Sequence, residues 1–223
     1  MSQIVKLGKE KEIEISPWKT RTKKDFIKAM KDKKSIDGLD EEEILNILLY
    51  PYIEPKDIYL NDAEKQYLIV KIRDISMKSE IDFSIKCSSC GEIIDVSCNI
   101  LDMVDYSPNK YEILHNDILW TDIENKYELQ KNKMKYQDYL PQTIEMLSHI
   151  KKYKNKEVTL EEMVELYEDF DLSESDKIVE DYNKIKSKLE LRLEVKCDKC
   201  NSKDTYYFET IPKLFDPLLP KEV

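Results

Sequence analysis

Two C-x-x-C steps, Cys87-Ser88-Ser89-Cys90 and Cys197-Asp198-Lys199-Cys200, constrain this chain more than any other feature. Each follows an alternating apolar/polar run of strand type, Ile81–Lys86 in one case and Leu191–Lys196 in the other. Each is entered through Lys-Cys and left through a residue that tolerates a tight turn, Gly91 or Asn201. Such a turn aims backbone amides at a thiolate, and two such turns supply four sulfurs for one tetrahedral zinc. The expected metal ligands are therefore Cys87, Cys90, Cys197 and Cys200, with Zn2+ as a structural cofactor. A closed four-thiolate site leaves no open position for water or substrate, so it predicts architecture and not catalysis. The fifth cysteine, Cys98, reads as a small buried apolar residue. A thioredoxin-like redox step would open a helix, whereas Ile93, Ile94 and Val96 after Cys90 read as a second strand.

The predicted fold class is α+β: predominantly helical, with a small antiparallel zinc ribbon formed by two sequence-distant C-x-x-C hairpins. The implied division is 1–79 as an N-terminal strand and helical region, 80–100 with 190–210 as the split ribbon, 101–189 as a helical insert, and 211–223 as a C-terminal tail. The ribbon strands are expected within 81–97 and 190–209.

Local signals fill in this frame. Residues 3–16 alternate loosely and suit a strand or hairpin. Thr20 or Thr22 caps a helix with Phe26, Ile27 and Met30 on one side, and Lys31–Ser35 reads as a polar connection. Asp40 with Glu43 opens a helix that Pro51 and Pro55 stop. Asn61 or Asp62 opens another, running to about Ser76 by the spacing of Tyr67, Leu68, Ile72 and Ile75. The stretch Ile113–Trp120 shows no clear period, and Tyr127–Lys135 reads as helix or loop. Pro141 suits a first helical turn. Thr159 with Glu162 forms a capping box, and Ser173 with Asp176 opens a last helix to about Ser187. The tail carries Tyr206, Tyr207, Phe208 and Phe215, and an exposed apolar surface is expected over Phe208–Leu219.

Composition bears on function. The net charge is −10 over 223 residues, which argues against a general binder of phosphate backbones. Charged residues at 37% with three glycines point to a helix-rich, soluble surface and leave no phosphate-cradling loop. No apolar run approaches the roughly 18 residues of a membrane span, and Met1–Lys6 lacks the apolar core of a signal peptide. With thiols and no export signal, the expected compartment is a reducing cytoplasm. The histidines, His115 and His149, have no nucleophile context, so they read as surface or core residues. Trp18 and Trp120 read as covers of a core edge or as interface anchors. No residue is a candidate for catalysis.

Three stretches carry a family resemblance. They are Ile15-Ser16-Pro17-Trp18-Lys19-Thr20; Leu60–Ser76 leading to Cys87–Cys90; and Phe170-Asp171-Leu172-Ser173 with its helix, then Cys197–Cys200 and the aromatic tail. In these the chain resembles the baseplate proteins of T-even-type contractile-tailed phages, which act in building the baseplate hub. The resemblance implies a hub assembly factor or structural hub subunit whose partners are other tail proteins, hub or tape-measure components. It implies work in the host cytoplasm during assembly, or a place in the virion tail. The alternative is a zinc-ribbon nucleic-acid-binding or transcription-regulatory module, against which the negative charge counts.

Overall fold

A computed structural model of the chain describes residues 2–8, 11–33, 41–77, 79–112, 114–123 and 125–207. The Asp40 cap, the end of the expected connection at Lys34-Ser35 and the tail from Phe208 onward, including the expected apolar surface, lie outside these residues. In chain order the elements are β1 (Gln3–Lys6), β2 (Glu12–Ile15), α1 (Thr20–Lys33), α2 (Glu41–Leu48), β3 (Ile53–Glu54) and α3 (Asp62–Ser76). There follow β4 (Glu80–Lys86), β5 (Ile93–Asn99), β6 (Val104–Ser107), β7 (Leu114–His115), β8 (Ile118–Trp120), α4 (Lys126–Lys135) and α5 (Pro141–Ser148). The chain continues through β9 (Ile150–Tyr153), β10 (Lys156–Glu157), α6 (Leu160–Glu168), α7 (Leu172–Ile185), β11 (Lys188–Lys196) and β12 (Lys203–Tyr207).

The fold is mixed, with 42% helix and 29% strand, so the expectation of a predominantly helical chain is corrected. The extra strand lies in 101–189. Asn116-Asp117 and Lys154-Asn155 all take positive φ, between +48° and +65°. That backbone twist suits the two-residue turns of tight hairpins, which join β7 to β8 and β9 to β10. Neither turn contains glycine, the residue that most often marks such turns.

The chain divides into two units. One takes Met1–Lys56, Asp62–Ser107 and Lys188–Val223; the other takes Asp57–Asn61 and Pro108–Ser187.

In the first unit, β1, β2 and β3 form an antiparallel sheet. Its period-two pattern buries Ile13 and Ile15 and exposes Glu12 and Glu14. Helix α1 runs through the expected connection as far as Lys33. Helix α3 packs against β2, β6 and β11. It is covered on several sides, with Leu68, Ile69, Val70 and Ile72 all buried, which is why its apolar residues spread around the axis. Glu64 on the same helix is also fully buried, and Lys11 lies 2.9 Å from it. Tyr67 stacks on Tyr106 with ring centroids 4.1 Å apart, and the Tyr106 hydroxyl donates to the Leu7 carbonyl. Trp18 is half-buried, and its indole N–H donates to the Leu48 carbonyl at 2.8 Å.

In the second unit, the sheet order is β10-β9-β8-β7, all antiparallel. Its core gathers Trp120, Ile144, Leu147, Ile150, Met163 and Ile178 with Tyr182. Helix α6 carries the full capping box: Thr159 accepts from the Glu162 N–H while the Glu162 carboxylate accepts from the Thr159 N–H. Helix α7 starts earlier than expected, because Asp171 and not Ser173 is its cap, accepting from the Glu174 N–H at 2.8 Å. Asp57–Asn61 joins this unit through an antiparallel bridge from Ile58 to Asn125 and a hydrogen bond from the Asn61 amide to the Ser187 hydroxyl.

Candidate metal centre

The two C-x-x-C steps form the turns of two antiparallel hairpins, β4–β5 and β11–β12. Their local geometry is the same. At the first turn the Cys87 N–H donates to the Glu92 carbonyl (2.8 Å) and the Gly91 N–H to the Cys87 carbonyl (3.0 Å). At the second the Cys197 N–H donates to Ser202 (2.9 Å) and the Asn201 N–H to Cys197 (2.8 Å). Both turns need one left-handed residue after the second cysteine, and Gly91 (φ +75°) and Asn201 (φ +59°) supply it. Asparagine is among the few residues with a side chain that take this conformation readily.

The topology brings all four expected ligands together. Their sulfur atoms lie within 4.8 Å of one another, and the Cys87–Cys200 and Cys90–Cys197 pairs are each 3.7 Å apart. A disulfide would bring two sulfurs to about 2.0 Å, so these are free thiols. A tetrahedron of Zn–S bonds of about 2.3 Å has an edge of about 3.8 Å, so the donor set fits zinc in both type and spacing. Cys87 and Cys197 are buried, whereas Cys90 and Cys200 face solvent. Cys98 is not in the cluster; it lies half-buried on β5, where burial pushes its thiol up.

Polar side chains clasp the two hairpins around the sulfurs. The Asp204 carboxylate accepts from both the N–H (3.3 Å) and the hydroxyl (2.9 Å) of Ser88. Lys199 pairs with Glu92, and the Tyr206 hydroxyl donates to the Lys86 carbonyl. The Ser202 hydroxyl lies 3.3 Å from the Cys87 sulfur and 3.1 Å from that of Cys200. Hydrogen bonding from Ser202, aided by the Cys90 and Ser89 amides, brings the Cys87 thiol down to about 6. Ser202 also lowers Cys200, through its hydroxyl and its amide. At Cys90 the Glu92 amide works in the same direction, but partial loss of hydration and the three neighbouring thiols outweigh it and push the group up to about 12. Four thiols this close share protons unevenly, because adjacent thiolates repel; a divalent cation removes that conflict. The clasp residues carry no spacing signal, so sequence reasoning missed them. Their only trace is that Ser202, Asp204 and Tyr206 alternate along β12 and its approach.

A family model described as T4 bacteriophage base plate protein matches residues 2–216. The chain belongs to this family. No curated protein and no solved structure gives a match. The matched span of this baseplate protein contains all four clustered cysteines and most of both units.

Both histidines of the baseplate protein lie in the second unit. His149 is fully buried in the second unit. Its Nδ1 lies 2.7 Å from the Thr121 carbonyl, which can only accept, so Nδ1 carries the proton. Nε2 is then the acceptor for the Tyr111 hydroxyl at 3.3 Å. The rings of Tyr111, Tyr59 and Tyr182 surround the imidazole at 4.5–5.6 Å between centroids. His115 lies 3.2 Å from Asp181, a buried carboxylate also held by Asn116 and Lys184. Trp120 is fully buried, which removes it as an interface anchor. No helix among the described residues is long and apolar enough to cross a membrane.

Proposed function

We propose that this baseplate protein is a hub assembly factor or structural hub component that binds other tail proteins, and that Cys87, Cys90, Cys197 and Cys200 hold one structural zinc. The observation that carries the metal assignment is the 3.7 Å separation of sulfurs contributed by hairpins more than a hundred residues apart, 113 for Cys87–Cys200 and 107 for Cys90–Cys197. On this reading 80–100 and 190–210 form one split zinc ribbon. The metal supplies a cross-link and no reactive position, since four thiolates complete its shell. A free energy on the order of 10 kcal/mol for zinc binding to four such ligands is enough to hold two distant segments together. The partner assignment is supported by membership of the family and by the acidic surface, which suits protein partners better than nucleic acid.

Native mass spectrometry, on the protein alone and co-expressed with neighbouring tail genes, tests both parts. The expected result is one zinc per chain and a stable complex with another tail protein. A metal-free chain that folds normally refutes the zinc site. A zinc-bound chain that joins no tail protein refutes the assembly role.

A further inference from the structure

The strand β5 is an open sheet edge of a kind that folded proteins usually block. It is seven residues long and pairs with β4 alone, so its other side has no strand partner among the described residues. Other edge strands are guarded. β1 has four residues ending in Lys6, β3 two followed by Pro55, β6 four followed by Pro108, β7 and β10 two each, and β12 five beginning with Lys203. The far side of β4 is capped at Lys86 by the Tyr206 hydroxyl. The stretch Ile93–Asn99 contains no lysine, arginine or proline, and it includes Ile93, Ile94 and Val96, residues with high strand preference.

The ladder shows which backbone groups are free. It is closed at one end by the Cys87 N–H on the Glu92 carbonyl and at the other by the Ile100 N–H on the Ser79 carbonyl. The register between them runs Lys86 opposite Ile93, Ser84 opposite Asp95, and Asp82 opposite Ser97. Alternation makes Ile85–Ile94, Phe83–Val96 and Ile81–Cys98 the hydrogen-bonded pairs. The N–H and C=O of Ile93, Asp95 and Ser97 therefore point away from β4, and all three side chains are exposed, Ile93 at 69%. The opposite face of the hairpin carries Ile94, Val96, Phe83 and Ile85, all only half-buried. A shallow depression runs over the middle of the hairpin at Phe83 and Val96.

Charge says what kind of strand fits there. The exposed face of the hairpin presents Glu80, Asp82 and Asp95 against one cation, Lys86. A second copy of β5 would place its own Asp95 in the same acidic ladder, and like charges across strands repel. We propose that β5 is a docking edge that accepts, by β-strand addition, an extended segment of another tail protein with alternating apolar and Lys/Arg residues. Its backbone bonds to Ile93, Asp95 and Ser97, its apolar side chains extend the Phe83–Val96 face, and its cations meet Asp95 and Asp82. This rests on the reading of the chain as a protein-binding baseplate component, and it names the surface and the chemistry of the partner.

The probe is a fluorescent seven-residue peptide of alternating lysine and valine, matched to the length of β5. A glutamate–valine peptide of the same length is the control, and binding is read by anisotropy on the full chain. The decisive variant is Ser97→Pro. It removes an outward N–H and no bond to β4, a position where edge strands accept proline. Zinc content and melting should stay as in the wild type while peptide binding is lost. Asp95→Lys should weaken binding by at least about tenfold, and it carries the test should Ser97→Pro fail to fold. Equal binding to wild type and variants overturns the proposal, as does no binding of the lysine peptide or equal binding of the glutamate peptide. A wild-type dimer that Ser97→Pro dissolves assigns the edge to a second copy and also overturns it. Complexes with tail proteins that form regardless of these variants leave the assembly reading standing and remove the edge alone.

Discussion

Removing both ligands of one hairpin, in a Cys197→Ser/Cys200→Ser variant, measures how much of the first unit depends on the proposed metal. The remaining Cys87 and Cys90 cannot close a four-sulfur shell, so the cross-link between the hairpins is lost. The magnitude follows from the chain enclosed. Cys90 and Cys197 are 107 positions apart. Closing a loop of that size restricts the unfolded chain by about 4.8 kcal/mol at room temperature in the loop-entropy treatment of cross-links. The clasp of Ser88–Asp204, Lys199–Glu92 and Tyr206–Lys86 remains, but it is exposed or half-exposed and offsets little of this. For a chain of this size the loss corresponds to a fall in melting temperature of about 10–20 °C. Urea and thermal unfolding, with zinc measured in parallel, should show the variant metal-free and destabilised by that amount. The wild type treated with a strong chelator should show the same loss. A variant that keeps within about 1 kcal/mol of wild type, or a chelator without effect, refutes the cross-link. Cys98→Ser is the matched control and should retain zinc, since that thiol is outside the cluster.

Lys11→Met takes away an ion-pair partner of the buried Glu64, and its cost in urea unfolding should be about 1.5–3 kcal/mol, with no measurable loss counting against a fixed buried pair. His149→Phe keeps the ring but strips the Thr121 carbonyl of a donor and the Tyr111 hydroxyl of an acceptor; a loss of about 1–3 kcal/mol is expected, and a stabilised variant would show the bonds to be unimportant. Thr159→Ala should cost about 1 kcal/mol through loss of the α6 cap. The backbone and hydroxyl hydrogen bonds of Thr159 hold the Glu162 carboxyl below its ordinary range, so its stabilisation is present above the ordinary carboxylate pKa and is lost as pH falls through the lowered value. Acid titration of Thr159→Ala should lack only the hydroxyl's share of that loss, because the backbone N–H at 159 remains; Glu162→Gln should lack all of it, and a Glu162→Gln profile identical to wild type would refute the box.

Most helices were legible because their signals are local. Asp62–Ser76 was readable from apolar spacing, Pro141 from its fixed φ, and Thr159-x-x-Glu162 from a cap that needs only four consecutive residues. The β7–β8 and β9–β10 hairpins escaped notice because their strands are two to four residues long and their turns use Asn-Asp and Lys-Asn without glycine. Strand content is higher than the sequence pattern predicts for that reason.

The four cysteines could be paired as a site from sequence because a C-x-x-C step preceded by a strand and followed by Gly91 or Asn201 already encodes its own turn. That much depends on bonds between near neighbours. Whether sulfurs 107 and 113 positions apart meet at 3.7 Å depends on how the two hairpins pack, and so does the clasp of Asp204, Lys199 and Tyr206. The open side of β5 is likewise a property of the sheet, since whether a strand is an edge is decided by which strands pair with it. Local sequence determined the turns and the helices here; only the tertiary structure decided which of them face one another, because long-range contacts leave no period in the chain.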